Sequence, residues 1–156
     1  MNIKKIHIFS LLSFLLFSSC GYKTVVQLED TDYQVGLIKL SGEKRIGYAI
    51  KNDILLNSSK NSNRVIDINL KFKKNKSIKE KNISNKITKY SLNIIAEVEI
   101  IDSQNNTSYK KTFNDVKDYS VANNHSGTLA NEKKALENSL SSISNNIIQS
   151  IRLLNL

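Results

Sequence analysis

Between Lys89 and Ile101 apolar and polar residues alternate: Tyr90, Leu92, Ile94, Ala96, Val98 and Ile100 fall on one side, Ser91, Asn93, Glu97 and Glu99 on the other. A strand with one buried face requires this period of two, so residues 89–101 are predicted as a strand. A shorter copy of the signature runs from Arg64 to about Lys73, setting Ile66, Ile68, Leu70 and Phe72 against Asp67, Asn69 and Lys71. Gln34–Leu40 is a further strand candidate, bounded by Ser41-Gly42. Asp102–Asn106 has turn chemistry, and Thr107–Asn114 is predicted to pair back as the third strand of a meander.

Two segments change to helical spacing. From Glu43 to about Ser58, apolar residues recur at Ile46, Ala49, Ile50, Ile54 and Leu55, with Ser41 or Gly42 as the expected cap. The polar stretch Asn57–Asn63 ends that helix. After a break at Asn123–Gly127, Leu129, Leu136, Leu140, Ile143, Ile147, Ile151 and Leu154 step down one stripe, predicting a helix from about Thr128 to Leu154. Residues 74–87 are Lys-rich without regular apolar spacing and read as a long loop or flexible hairpin tip. The order β-α-β-β-β-α predicts an α+β domain over residues 34–156, with two helices packed on one face of a roughly four-stranded mixed sheet.

The first residues follow another logic. A basic start (Lys4, Lys5), a mostly apolar run from Ile6 to Phe17 and small residues before Cys20 make residues 1–19 a signal peptide. The run is shorter than the roughly 20 apolar residues that a membrane-crossing helix needs. Ser18-Ser19-Cys20 resembles a bacterial lipobox, in which the thiol is acylated and becomes the mature N-terminus. Cys20 is the only cysteine, so no internal disulfide explains it. Gly21 stands where an Asp would favour retention at the inner membrane, so the expected location is the periplasmic face of the outer membrane. Residues 20–33 then form the lipidated N-terminus and a tether.

Composition modifies this picture in one respect. The formal net charge of +9 becomes +7 once the two leader lysines are removed. Abundant Lys, Asn and Ile with no Pro look like AT-rich codon usage, so charge overstates the functional signal. A lipidated exported protein meets lipid phosphates before nucleic acid, and no nucleic-acid partner is expected. The densest feature is Lys71–Lys81, with six lysines and one glutamate in eleven positions. Lys86, Lys89, Lys110 and Lys111 would add to it if the strands pair as predicted.

Catalytic signals are few. His125, the one histidine after the leader, lies among small polar residues, and no second His or free Cys completes a zinc ligand set. Neither a Gly-rich phosphate loop nor a Gly-x-Ser-x-Gly elbow is present. Glu97 and Glu99 share one side of a strand, a geometry open both to carboxylate chemistry and to plain solvation. An enzyme, a cofactor and a metal are not expected.

The whole arrangement resembles the LPS-assembly lipoprotein family LptE, in its alphaproteobacterial-like form. The resemblance rests on Cys20-Gly21-Tyr22, on the strand Tyr90–Asp102 with its turn, and on Thr112–Ala122 followed by Leu129–Leu136. The proline often found soon after the family's lipidated cysteine is absent. The resemblance implies a lipoprotein, acylated on Cys20 (palmitate), that plugs the LptD β-barrel and assists its assembly in lipopolysaccharide transport. Lipid A phosphates would then be the partners of Lys71, Lys73, Lys74 and Lys76. Two other readings remain open: an auxiliary lipoprotein of a lipid-trafficking ABC transport system, and a structural lipoprotein of unknown partner.

Overall fold

The computed structural model describes residues 33–154. The leader, the expected lipidation at Cys20 and the tether as far as residue 32 lie outside the described residues; Tyr33, expected to close the tether, is instead buried in the domain core. Six elements follow in order: β1 (Gln34–Gly42), α1 (Lys44–Leu56), β2 (Val65–Lys81), β3 (Ile87–Asp102), β4 (Thr107–Ser120) and α2 (His125–Leu153). The strands make one sheet in the order β1-β2-β3-β4. The β2–β3 and β3–β4 pairs are antiparallel. β1 runs parallel to β2, a pairing that needs a crossover connection, and α1 supplies it. The α+β class, the element order and the two-helix, four-strand mixed sheet are as the patterning predicts.

Register converts the alternation into a core. Ile68 pairs with Ile38 on one side and Ile100 on the other, and Leu70 with Leu40 and Val98, while Ala96 sits between Phe72 and Phe113. These residues face the helices. α1 covers β1 and β2 with Ile46, Ile50 and Ile54, and α2 covers β3 and β4 with Ile143, Ile147 and Ile151. Each such side chain, fully withdrawn from water, contributes roughly 1.5–3 kcal/mol. The opposite face of the sheet carries the polar half of the alternation.

The predictions fail mainly at element ends. Residues 74–87 are not a long loop: β2 continues to Lys81 and only 82–86 turn. The turn is tight because the Asn82 side chain accepts from the Ser84 and Lys86 amides at 3.0 and 2.9 Å, while Asn85 takes a left-handed φ of 61°. β3 is sixteen residues long and holds β2 in register as far as Ile78, with register shifts on either side of Glu80 near the turn, supplying what the lysine-rich half lacks in apolar spacing. β4 likewise outruns Asn114 and reaches Ser120.

Both helix starts differ as well. α2 begins at His125, three residues early, because the Asn124 side chain accepts from the Gly127 amide at 2.6 Å. Leu129 is half exposed, and Ala135 and Ser139 occupy the core instead. α1 begins after Glu43, which makes no side-chain capping bond. Gly42 turns the chain rather than capping the helix. Its φ is +70°, and a Cβ there would lie 2.2 Å from the Phe72 carbonyl oxygen.

Gly42→Ala is therefore expected to lower stability by more than about 1 kcal/mol. Urea unfolding of the variant reads this directly, and an unchanged midpoint would show that the turn accepts a side chain.

Candidate functional site: the lysines of the central hairpin

The lysines of β2 obey the alternation that buries Ile66, Ile68, Leu70 and Phe72. Even positions face the helices and odd positions face the uncovered side. The four lysines singled out from sequence consequently split into two pairs. Lys71 and Lys73 stand on the uncovered face, where both meet Glu97, at 3.0 and 3.1 Å. Lys74 and Lys76 stand on the helix face, where both meet Glu132 of α2, at 3.0 and 2.8 Å. The structure brings each pair together around a glutamate and does not merge them into one patch.

The Glu132 cluster is the more elaborate of the two. Tyr119 donates its hydroxyl to Glu132 Oε2 at 2.8 Å. Tyr119 also stacks on Tyr90, with ring centroids 5.7 Å apart. Lys76 Nζ lies 4.3 Å from the Tyr90 centroid and 5.3 Å from that of Tyr119, within cation–π range. Hydrogen bonds from Lys76 and then Lys74 hold the Glu132 carboxyl down to about 2, and the bond to Glu132 raises Lys76 above the ordinary lysine range. Desolvation raises the Tyr119 hydroxyl. The apolar core ends in this direction at a charged, aromatic seal between sheet and helix.

The uncovered face is also self-neutralised. Lys71 and then Lys73 hold the Glu97 carboxyl below the usual range, and Asn69 and then Lys110 do the same for Glu99. Glu97 and Glu99 share a face as predicted, yet neither is poised to hold a proton near neutral pH, as a general acid would be. A shallow trough of about 630 Å³ crosses this face beside Lys39, Asn69, Lys71, Glu97, Glu99 and Lys110. Lys111 points to the other side, toward Ser150 and the Phe113 ring. His125 is exposed in the first turn of α2. Among the described residues, no group of three or more His, Cys, Asp or Glu is placed to hold a metal, and no helix is long and apolar enough to cross a membrane.

Less compensated charge lies farther along the hairpin. Residues 77–89 carry four lysines against one glutamate, Glu80, which pairs with Lys89 at 2.8 Å. Lys79 reaches Asp118 only at 3.7 Å, Lys81 bonds the neutral Asn85 at 3.0 Å, and Lys86 makes no ion pair among the described residues. Ile83 is fully exposed at the turn and Ile78 half exposed beneath it. The tip is an amphiphilic projection, able to offer ammonium groups to phosphates and one apolar side chain to an acyl chain.

The other end of the domain receives the chain. Tyr33 is buried, and its hydroxyl donates to the Asn57 carbonyl at 3.2 Å beyond the end of α1. β1 starts there and runs parallel to β2, so the entry point and the hairpin tip lie at opposite ends of the sheet. Sequence reasoning did not identify Glu132, Tyr119 or Tyr90 as partners. Two strand lysines at positions 74 and 76, facing a helix, were the available sign that an acid had to come from that helix.

No protein-family profile and no curated protein sequence matches the chain. Solved structures do share its fold. Rare lipoprotein B from Shewanella oneidensis aligns with a TM-score of 0.58 at 14% identity, over 74% of this chain and 93% of its own. A lipoprotein B from Nitrosomonas europaea gives 0.56 at 12%, over 80% and 87%. A protein from Caulobacter crescentus CB15, also named as a lipoprotein, gives 0.51 at 15%, over 74% and 87%. At these identities the likeness is one of fold.

Folding lowers the Glu132 carboxyl from 4.5 to about 2, so its contribution to stability is complete above about pH 4.5 and is lost as pH falls through 2. Glu132→Gln is expected to cost about 1–2 kcal/mol at pH 7. Its stability should also fall less steeply than the parent's between pH 4.5 and 2. Parallel stability curves for the two proteins in that window would contradict the assigned cluster.

Proposed function

We propose that the chain is an outer-membrane lipoprotein of the LptE type, anchored through acylated Cys20. It would plug an LptD-type β-barrel, assist the barrel's assembly and contact lipopolysaccharide on its way to the cell surface. The observation that carries this reading is the polarity of the domain. The chain from Cys20 enters at Tyr33, and the lysine-rich hairpin projects from the opposite end. A shared fold with three proteins named as lipoproteins, one of them rare lipoprotein B, supports it, as does the order of elements.

Lipid A phosphates fit the lysines in two grades. Lys79, Lys81 and Lys86 meet an incoming phosphate without first giving up a close carboxylate. Lys71, Lys73, Lys74 and Lys76 must be drawn from Glu97 and Glu132, so they contribute only where phosphate outbids those carboxylates. The largely polar sheet face, most of whose charges are paired, suits a water-lined barrel interior.

Affinity purification of the tagged lipoprotein from detergent-solubilised outer membranes tests the reading. A large β-barrel at about equal stoichiometry is expected. Inner-membrane ABC components, or no partner, would refute it. Changing Lys79, Lys81 and Lys86 together to Ser is expected to weaken lipopolysaccharide binding and reduce its salt dependence while leaving the fold intact. Unaltered binding would remove the tip from the account.

A further inference from the structure

Charge is spread unevenly over the helix layer. α1 begins where the Glu43 amide donates to the Phe72 carbonyl at 3.0 Å, and it ends at Asn57 beside Tyr33. α2 first meets Lys74 and Lys76 through Glu132, beyond the start of α1, and runs on to Arg152, whose Nη2 donates to Asn57 Oδ1 at 3.3 Å. Both helices therefore finish at the entry end, and the second half of α2 lies beside α1. That half carries no charge: after Glu137 the next charged residue is Arg152, in a chain with 23 Lys and Arg and 14 Asp and Glu. Asn138–Ile151 is a stretch about 20 Å long at 1.5 Å per residue. AT-rich coding favours Lys and Asn alike, so it does not explain a stretch that keeps Asn and drops Lys. On α2, Ser141, Asn145 and Gln149 are exposed on the side opposite Ile143, Ile147 and Ile151. On α1, Tyr48, Asn52 and Leu56 stand in the same way opposite Ile46, Ile50 and Ile54, while Lys51 and Asp53 are partly buried.

We infer that this uncharged outer face of the helix layer, and not the sheet, is the side that packs against the polar inner wall of the barrel, an assignment that rests on the plug reading. Taking a charge out of water into a tight protein contact is costly unless a partner of opposite sign meets it. The fully buried centres of protein interfaces are accordingly poor in Lys, Asp and Glu. Hydroxyls and amides such as those of Ser141, Asn145 and Gln149 need only neutral donors and acceptors, which a polar wall supplies. The sheet face is built otherwise. Lys71, Lys73 and Lys110 stand there with Glu97 and Glu99, all partly or largely exposed, and their ion pairs keep more of their hydration in open water than against a wall. The two layers thus divide the work of a plug: the helices meet the wall and the sheet faces the remaining water.

Two exposed asparagines form a matched test: Asn145 on the outer side of α2, and Asn114 on the uncovered face of β4, next to the buried Phe113. The photocrosslinker p-benzoylphenylalanine replaces each in turn in the tagged, lipidated full chain, and outer membranes are irradiated before purification. The probe at 145 is expected to crosslink to the large β-barrel, identified by mass spectrometry, at least fivefold more than the probe at 114. Asn145→Lys is expected to lower recovery of the barrel at least fivefold, whereas Asn114→Lys leaves it within twofold. Lysine is the better helix former, so the free Asn145→Lys domain should unfold no earlier than the parent, and the loss then reports the contact and not the fold. An equal or stronger crosslink at 114, or undiminished barrel recovery with Asn145→Lys, overturns the assignment. A crosslink from 145 to a second copy of this chain overturns it too. Purification of the unaltered chain separates the two premises: no barrel refutes the plug reading and the assignment with it, whereas a barrel accompanied by the reverse crosslinking pattern refutes only the assignment.

Discussion

β2 sends successive side chains to opposite faces as far as Ile78, although its buried apolar positions end at Phe72. Beyond that row, each side chain on the helix face must be withdrawn from water by a polar partner or left outside. Glu132 resolves the conflict. It reaches from α2 to Lys74 and Lys76 while Tyr119 and Tyr90 close over the Lys76 ammonium group. This contact ties the two layers together where no isoleucine can, and it lets β2 and β3 extend as a paired arm past the core.

Pairing on both faces also decides where charge remains available. Glu97 and Glu132 each take two lysines, so the strand half of the cationic run is largely compensated within the domain. The remainder is carried outward to the turn, where Asn82 and Asn85 spend their side chains on closing the hairpin and on Lys81. The molecule thus acquires two unlike ends. One joins the entering chain, two helix ends and exposed leucines; the other presents ammonium groups around an exposed isoleucine.

Much of the fold was legible because burial writes its period into the residues. Ile66 to Phe72 and Tyr90 to Ile100 declared their strands, and Ile143, Ile147 and Ile151 declared the face of α2. The far half of β2 was not, since Lys74, Lys76 and Ile78 mark a face only when β3 and Glu132 are known to lie beside it. Gly42 was visible as a breaker, but the demand for a left-handed residue against the Phe72 carbonyl is a tertiary fact. The split of Lys71 and Lys73 from Lys74 and Lys76 followed from parity alone once the strand was extended. That Glu97 and Glu132 compensate them did not, because both acids come from distant segments.

Amide-resolved NMR of the isotope-labelled lipoprotein in detergent, titrated with lipopolysaccharide, tests the central claim most directly. The account requires the earliest and largest shifts at residues 78–87 of the hairpin, with smaller, later ones at Lys71–Lys76 as their carboxylate partners are displaced. First and largest shifts at Lys71–Lys76, with the turn unmoved, would contradict the distribution of charge argued from Glu97 and Glu132.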